Sequence, residues 1–139
     1  IDARYDKAHT NLGVVLQLQK QTQAAIDSHM RALTLNDQSW ESAVNLGLLF
    51  WSEGDLKSAR QFFSKALAVR DDASLWHYLG LVSEQQGQKL EAIRHYRQAL
   101  KKEDPSISHL REEIQSRIRY LLGGNRDQKT ELVPNKDHK

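Results

Sequence analysis

The chain has 139 residues, 39% of them hydrophobic and 27% charged, with a formal net charge of +2 and no Cys. That length supports one domain with a buried core. Without Cys there are no disulfides, thiolate metal sites or Cys nucleophile, and no run of about 18 apolar residues is available to span a bilayer.

Apolar spacing is helical throughout, with no alternating strand segments. It predicts helices over about 3–19, 22–35, 38–53, 55–69, 73–86 and 88–102, and a seventh over about 105–122. Thr22 and Asp55 are expected N-caps, each accepting a backbone N–H. Gly54 and Gly87 sit where a residue free to take positive φ can end a helix. Lys20 holds the corresponding place earlier in the chain and must turn there without glycine, at a modest local cost. Asp104-Pro105 reads as an N-cap followed by a first-turn proline that opens the seventh helix. Beyond Leu122 the sequence is polar, and 123–139 is expected to be a disordered tail with Leu132-Val133 as its one apolar pair. The chain opens on Ile1 rather than Met, which reads as a processed or excised piece of something longer. A cytoplasmic setting and a periplasmic or membrane-anchored parent are both compatible with these features.

One pattern occurs three times. Leu12-Gly13, Leu46-Gly47 and Leu79-Gly80 begin it, Ala25, Ala59 and Ala92 follow, and Ala32-Leu33, Ala66-Leu67 and Ala99-Leu100 close it. The steps are 34 and 33 residues. Small residues at fixed places inside helical periodicity, at that period, indicate stacked helix pairs that bury their apolar faces only against neighbours. A mid-helix Gly costs roughly 1 kcal/mol against Ala, so Gly13, Gly47 and Gly80 imply close approach of another helix. The expected core is Leu12, Leu16, Leu33, Leu46, Phe50, Phe63, Leu67, Trp76, Leu79, Tyr96 and Leu100. The seventh helix puts Ile107, Leu110, Ile114, Ile118 and Leu121 on one stripe, suited to covering the end of the stack; a dimer seam is the alternative use.

This pattern resembles the tetratricopeptide repeat family over residues 6–106, as units of about 6–39, 40–72 and 73–106, with a capping helix at 105–122 completing a domain of 1–122. The closest correspondence runs from Leu90-Glu91-Ala92-Ile93 through Tyr96 to Ala99-Leu100 and Asp104-Pro105. His29 departs from the family where an aromatic is usual, Ser83 departs where a bulky residue is usual, and the unit-ending proline appears only as Pro105. The resemblance implies an all-α, right-handed superhelical solenoid of three antiparallel helix pairs plus one terminal helix. It implies a protein–protein interaction module, a scaffold or adaptor that holds a peptide or helix of a partner in its concave groove. Carried over position by position, the groove is lined by Thr10, Asn11, Val14, Gln17, Val44, Asn45, Leu48, Trp51, His77, Tyr78, Leu81 and Glu84, with Leu18, Ser52 and Gln85 at its edge. Asn amides can donate and accept at once, which suits an extended backbone, and Trp and Tyr are common interface anchors.

Members that bind the acidic C-termini of Hsp70 and Hsp90 use a Lys, Asn and Arg clamp. Here only Asn45 fits; Thr10, Val14, Ser74 and Tyr78 occupy the other clamp positions, so a terminal carboxylate lacks charge-assisted partners and these tails are disfavoured. A self-assembling scaffold that forms homo-oligomers through its end helices is the alternative function. Charge adds a third reading. Residues 88–126 carry nine Lys/Arg against five Asp/Glu, a surplus of +4, while residues 1–87 carry eight against ten. That basic stretch could meet an acidic partner, but no aromatic interleaving of the kind that stacks bases accompanies it, so nucleic acid is not expected. The six His show no metal-ligand spacing, and no phosphate-cradling or nucleophile-elbow motif is present. No catalytic, metal or cofactor residues are assigned, and enzymatic activity is not expected.

Overall fold

The computed structural model describes residues 3–124. Its helices are α1 (Ala3–Leu18), α2 (Thr22–Leu35), α3 (Trp40–Ser52), α4 (Leu56–Val69), α5 (Ala73–Gln85) and α6 (Lys89–Lys101). A 3-10 segment (Pro105–Leu110), α7 (Arg111–Arg119) and a π-helical turn (Tyr120–Gly124) complete it. No strand occurs among the described residues. α1/α2, α3/α4 and α5/α6 are antiparallel pairs, and each second helix also packs against the next first helix. The all-α solenoid of three pairs plus a terminal element stands as read.

Each pair is organised around one contact. The rings of His29, Phe63 and Tyr96 lie on Gly13, Gly47 and Gly80, sixteen residues behind them in each repeat. A methyl on any of these glycines would come within 2.4–2.5 Å of a ring atom. All three rings are buried. The glycines therefore exist to admit a flat ring between two helix backbones, and this explains the small-residue signal in physical terms.

The turns inside each pair are also alike. Lys20, Gly54 and Gly87 have φ of 61°, 81° and 76°. The next residue's N–H reaches back to the first helix in a six-to-one bond: Gln21 to Leu16 O (2.8 Å), Asp55 to Phe50 O (2.9 Å) and Gln88 to Ser83 O (2.9 Å). This closes each first helix with a left-handed residue, and repeat 1 achieves it with a lysine, as expected. Asp55 is the N-cap of α4 and accepts from Ser58 N at 3.1 Å. Thr22 is not a cap: it lies inside α2, whose N-cap is Gln21 with no side-chain bond.

Two core expectations need correction. Leu12 is 47% exposed, whereas its counterparts Leu46 and Leu79 are 0% and 3% exposed. A second helix from the preceding repeat packs against α3 and α5, and α1 has none before it among the described residues. The seventh helix is not continuous. Asp104 caps the proline-led segment by accepting from Ser106 N (2.9 Å), but that segment is 3-10, and the α-helix begins only at Arg111. Ile107 and Ile114 are nonetheless buried against Ala92, Tyr96 and Ala99, and Leu110, Ile118 and Leu121 pack beside them, so the terminal element covers α6. Gly123, with φ of 100°, lies at its end. The expected tail falls outside the described residues from 125 onward.

Two substitutions test these assignments. Gly47→Ala should lower stability by about 1–3 kcal/mol through overpacking against Phe63, reversing the gain of roughly 1 kcal/mol that helix propensity alone would give; a thermal melt that rises would refute the ring-on-glycine assignment. Lys20→Gly should raise the melting temperature, because relief of a left-handed L-residue, about 1–2 kcal/mol, exceeds the entropic cost of Gly, roughly 0.5–1 kcal/mol.

Candidate peptide-binding groove

Residues at fixed offsets from the ring-bearing glycine form columns that run across α1, α3 and α5. The column three residues before it is Thr10, Val44 and His77, and it faces inward. Thr10 is buried, gives its hydroxyl proton to Asp6 O (2.9 Å) and lies 2.7 Å from Ser42 Oγ. Ser42 is therefore the donor to Thr10, and this bond ties α1 to α3. Val44 packs on the core. His77 is buried between the Tyr78 and Tyr96 rings, and its Nε2 has no hydrogen-bond partner among the described residues. Thr10 and His77 are thus buried and Val44 is half-buried; the Thr10–Ser42 bond links repeats 1 and 2, whereas His77 packs within repeat 3.

The columns two residues before and one residue after the glycine reach solvent. They contain Asn11, Asn45 and Tyr78, then Val14, Leu48 and Leu81. Asn11 and Val14 are exposed; the other four are half-buried. Neither asparagine amide has a hydrogen-bond partner among the described residues. Tyr78 sits against Trp51 and Phe63, with ring centroids 6.0 and 5.2 Å away. Leu48 packs on the main core, and Leu81 on the smaller core cluster beside α7.

The column four residues after the glycine is Gln17, Trp51 and Glu84. Each member contacts the buried ring of its own repeat, twelve residues on. Gln17 Oε1 lies 2.9 Å from His29 Nε2. Trp51 meets Phe63 edge-on at 6.0 Å. Glu84 Oε1 accepts from the Tyr96 hydroxyl at 2.9 Å. One position thus uses an amide, an aromatic edge and a carboxylate to meet an imidazole, a phenyl and a phenol. The column continues onto α7, where Arg117 donates Nε and Nη2 to the two Glu84 oxygens at 3.2 and 3.1 Å. Burial alone would lower the Arg117 pKa, but Tyr96 and Glu84 more than offset it and raise it; burial drives the Tyr96 phenol well up. Glu84 is thereby committed to the terminal helix. Trp51 Nε1 donates to Gln85 Oε1 at 2.7 Å, linking α3 to α5.

Departures from the family pattern acquire reasons here. In repeat 2, Phe50 stacks on Phe62 at 5.5 Å. The corresponding pair in repeat 3 is Ser83 and His95, joined by a 3.1 Å hydrogen bond while His95 also lies against Trp76. The small Ser83 leaves room for that imidazole. A further feature was missed from sequence. The open end of each pair is clasped by one contact, about thirty residues apart: Asn36 Nδ2 to Asp6 Oδ2 at 3.1 Å, the Arg70 guanidinium 3.5 Å over the Trp40 ring, and the Lys102–Asp71 ion pair. Because the chemistry differs each time, no residue repeats to announce it.

Family models for the tetratricopeptide repeat match residues 41–72 and 73–105. Residues 41–105 are thus tetratricopeptide repeats. Residues 6–39 lie outside the matched ranges, yet α1/α2 share the ring-on-glycine contact and the left-handed turn of the other two pairs. Among solved structures, a crystal structure of MamA is 29% identical with a TM-score of 0.70, covering 73% of this chain and 60% of that one. The Yersinia enterocolitica type III secretion chaperone SycD in complex with a peptide of the translocator YopD is 14% identical, TM-score 0.76, over 83% of this chain and 90% of that one. PcrH in complex with the chaperone-binding region of PopD is 14% identical, TM-score 0.78, over 90% and 96%. The chain thus spans about 60% of the length of that MamA chain. No curated protein matches. Among the described residues, no helix of this repeat protein is long and apolar enough to cross a membrane, and no group of three or more His, Asp or Glu could hold a metal ion.

Buried imidazoles make the solenoid acid-sensitive. His29, His77 and His95 all have pKa values lowered by burial. A lowered His pKa stabilises the fold while the ring is neutral, and that contribution is lost as pH falls below the unfolded value of about 6.5. Thermal stability should therefore decline on acidification below about pH 6.5. His29→Phe should keep the contact with Gly13 and make that decline shallower; an unchanged pH–Tm profile would count against His29 as a buried neutral ring.

Proposed function

We propose that the repeats hold a segment of a partner protein along the accessible face of α1, α3 and α5, the concave groove of the family. The observation that carries this reading is the pair of solvent-reaching amides, Asn11 and Asn45, one repeat apart beside the apolar edges of Val14, Leu48 and Leu81. Water satisfies these amides in the free chain, and a peptide backbone can replace it by pairing with both the donor and the acceptor of each. Trp51 and Tyr78 act as fixed walls, since their contacts with Phe63 and Gln85 hold their rings before any ligand arrives. Thr10, Val44, His77 and Glu84 are withdrawn from the contact set, for the packing and pairing given above. SycD and PcrH are similar in fold and were crystallised with peptides of their partners, and that precedent favours a peptide. The proposed role is non-catalytic.

Partners should be isolated by affinity capture on the intact chain and mapped to a peptide. The double change Asn11→Ala, Asn45→Ala should then weaken that peptide by about 10- to 100-fold, from two hydrogen bonds of roughly 0.5–1.5 kcal/mol each plus their geometric coupling. Far-UV circular dichroism should be unchanged. Equal affinity of the double variant and the parent in calorimetry would end this assignment.

A further inference from the structure

The first helices do not absorb the basic stretch of the chain. Its most concentrated part lies on the outer face of α6, around a cleft of about 720 Å3. Ile93 and Leu100 contribute the apolar floor, and Leu90 and Leu122, 79% and 62% exposed, form its lips. Arg94, Arg97 and Lys101 stand beside them on the same helix face. Among the described residues, no carboxylate lines the cleft and none of these three cations is in an ion pair. Lys102 and Arg117, by contrast, are engaged, with Asp71 and Glu84 respectively.

We infer that this cleft is a second protein-docking site, and that its occupant is an acidic amphipathic helix. The three cations recur at i, i+3 and i+7 and so form a row about 10 Å long parallel to the α6 axis. Ile93, Leu100 and Leu122 form an apolar seam beside that row, on the side toward the C-terminal turn, while Leu90 continues the cation row itself one turn before Arg94. An occupant must therefore present an acidic row and an apolar row side by side. A helix does this with residues at three- and four-residue spacing. An extended strand cannot, because successive side chains point to opposite faces. The concavity favours a rod laid into it over a flat anionic lipid surface, and among the described residues no carboxylate in the lining competes for the cations. This site is independent of the groove proposed above.

The probe is a fluorescein-labelled helical peptide of about 18 residues, long enough to hold helix in water, with a Leu row flanked by a Glu row; its binding to the full chain is followed by anisotropy. Saturable binding is expected. It should weaken at least about tenfold, or 1.4 kcal/mol, in Arg94→Glu/Arg97→Glu and again in Leu90→Asp. It should also weaken as salt rises through about 0.15 M, where the Debye length is near 8 Å. All three positions are exposed, so helicity should be retained; Leu122→Ser supplies a second apolar test on another segment. Asn45→Ala should leave the probe's affinity unchanged. The inference is overturned by variants that bind as the parent does, or by loss of binding on Asn45→Ala, which would place the probe in the groove. It is equally overturned if anionic vesicles of phosphatidylcholine and phosphatidylserine sediment the chain in an Arg94/Arg97-dependent way while the peptide does not bind.

Discussion

A flat ring resting on a bare backbone is the constraint from which the rest of this protein follows. In a pair of ordinary helices the side chains set the spacing; here the absence of one lets an aromatic or imidazole ring enter between them. That ring removes about one side chain's worth of apolar surface from water, a few kcal/mol in each repeat, and it fixes the angle at which the two helices meet. With that angle fixed three times at intervals of 34 and 33 residues, the first helices come into line, and so do the residues that ride on them.

Because the ring also reaches the residue twelve positions before it, the core and the accessible face are mechanically joined. Gln17, Trp51 and Glu84 are at once edges of the groove and partners of His29, Phe63 and Tyr96. The walls of the groove are thus positioned by the same contacts that hold each pair together. Repeat 3 differs because its carboxylate is claimed by Arg117 as well, so the terminal helix is fastened through the groove column rather than only through Ile107 and Ile114. Gln17 and Trp51 are thus the members of that column not claimed by α7.

The repeat was legible because it is written in residue size. Glycines and alanines at fixed spacing have one structural explanation, and the three helix pairs and the glycine-free turn at Lys20 followed. The groove was legible only as a set of columns. Which columns face solvent depends on the other helices packed against them, and periodicity within one helix does not report that: Thr10 and His77 look like surface residues until Ser42 of the next repeat and Tyr96 of the paired helix are placed against them. Leu12 misled in the opposite direction, since its burial in other repeats is supplied by a preceding helix. The broken seventh helix was hidden because Pro105 and Asp104 signal a helix start equally well for a 3-10 and an α geometry. The clasps at the open ends were invisible for want of any shared residue type.

The features that distinguish repeat 1 all act in one direction. It turns through a strained lysine, its buried ring is a histidine with one unsatisfied nitrogen, and Leu12 is left in water. In a linear array each unit's persistence depends on its own strength and on its neighbours, so of the three described pairs α1/α2 should exchange its amides fastest. A partner that grips Asn11 and Asn45 together straddles the loosest unit and a firmer one. Part of its binding free energy would then be spent on holding the first hairpin shut, which makes affinity at this groove a function of how well that hairpin folds.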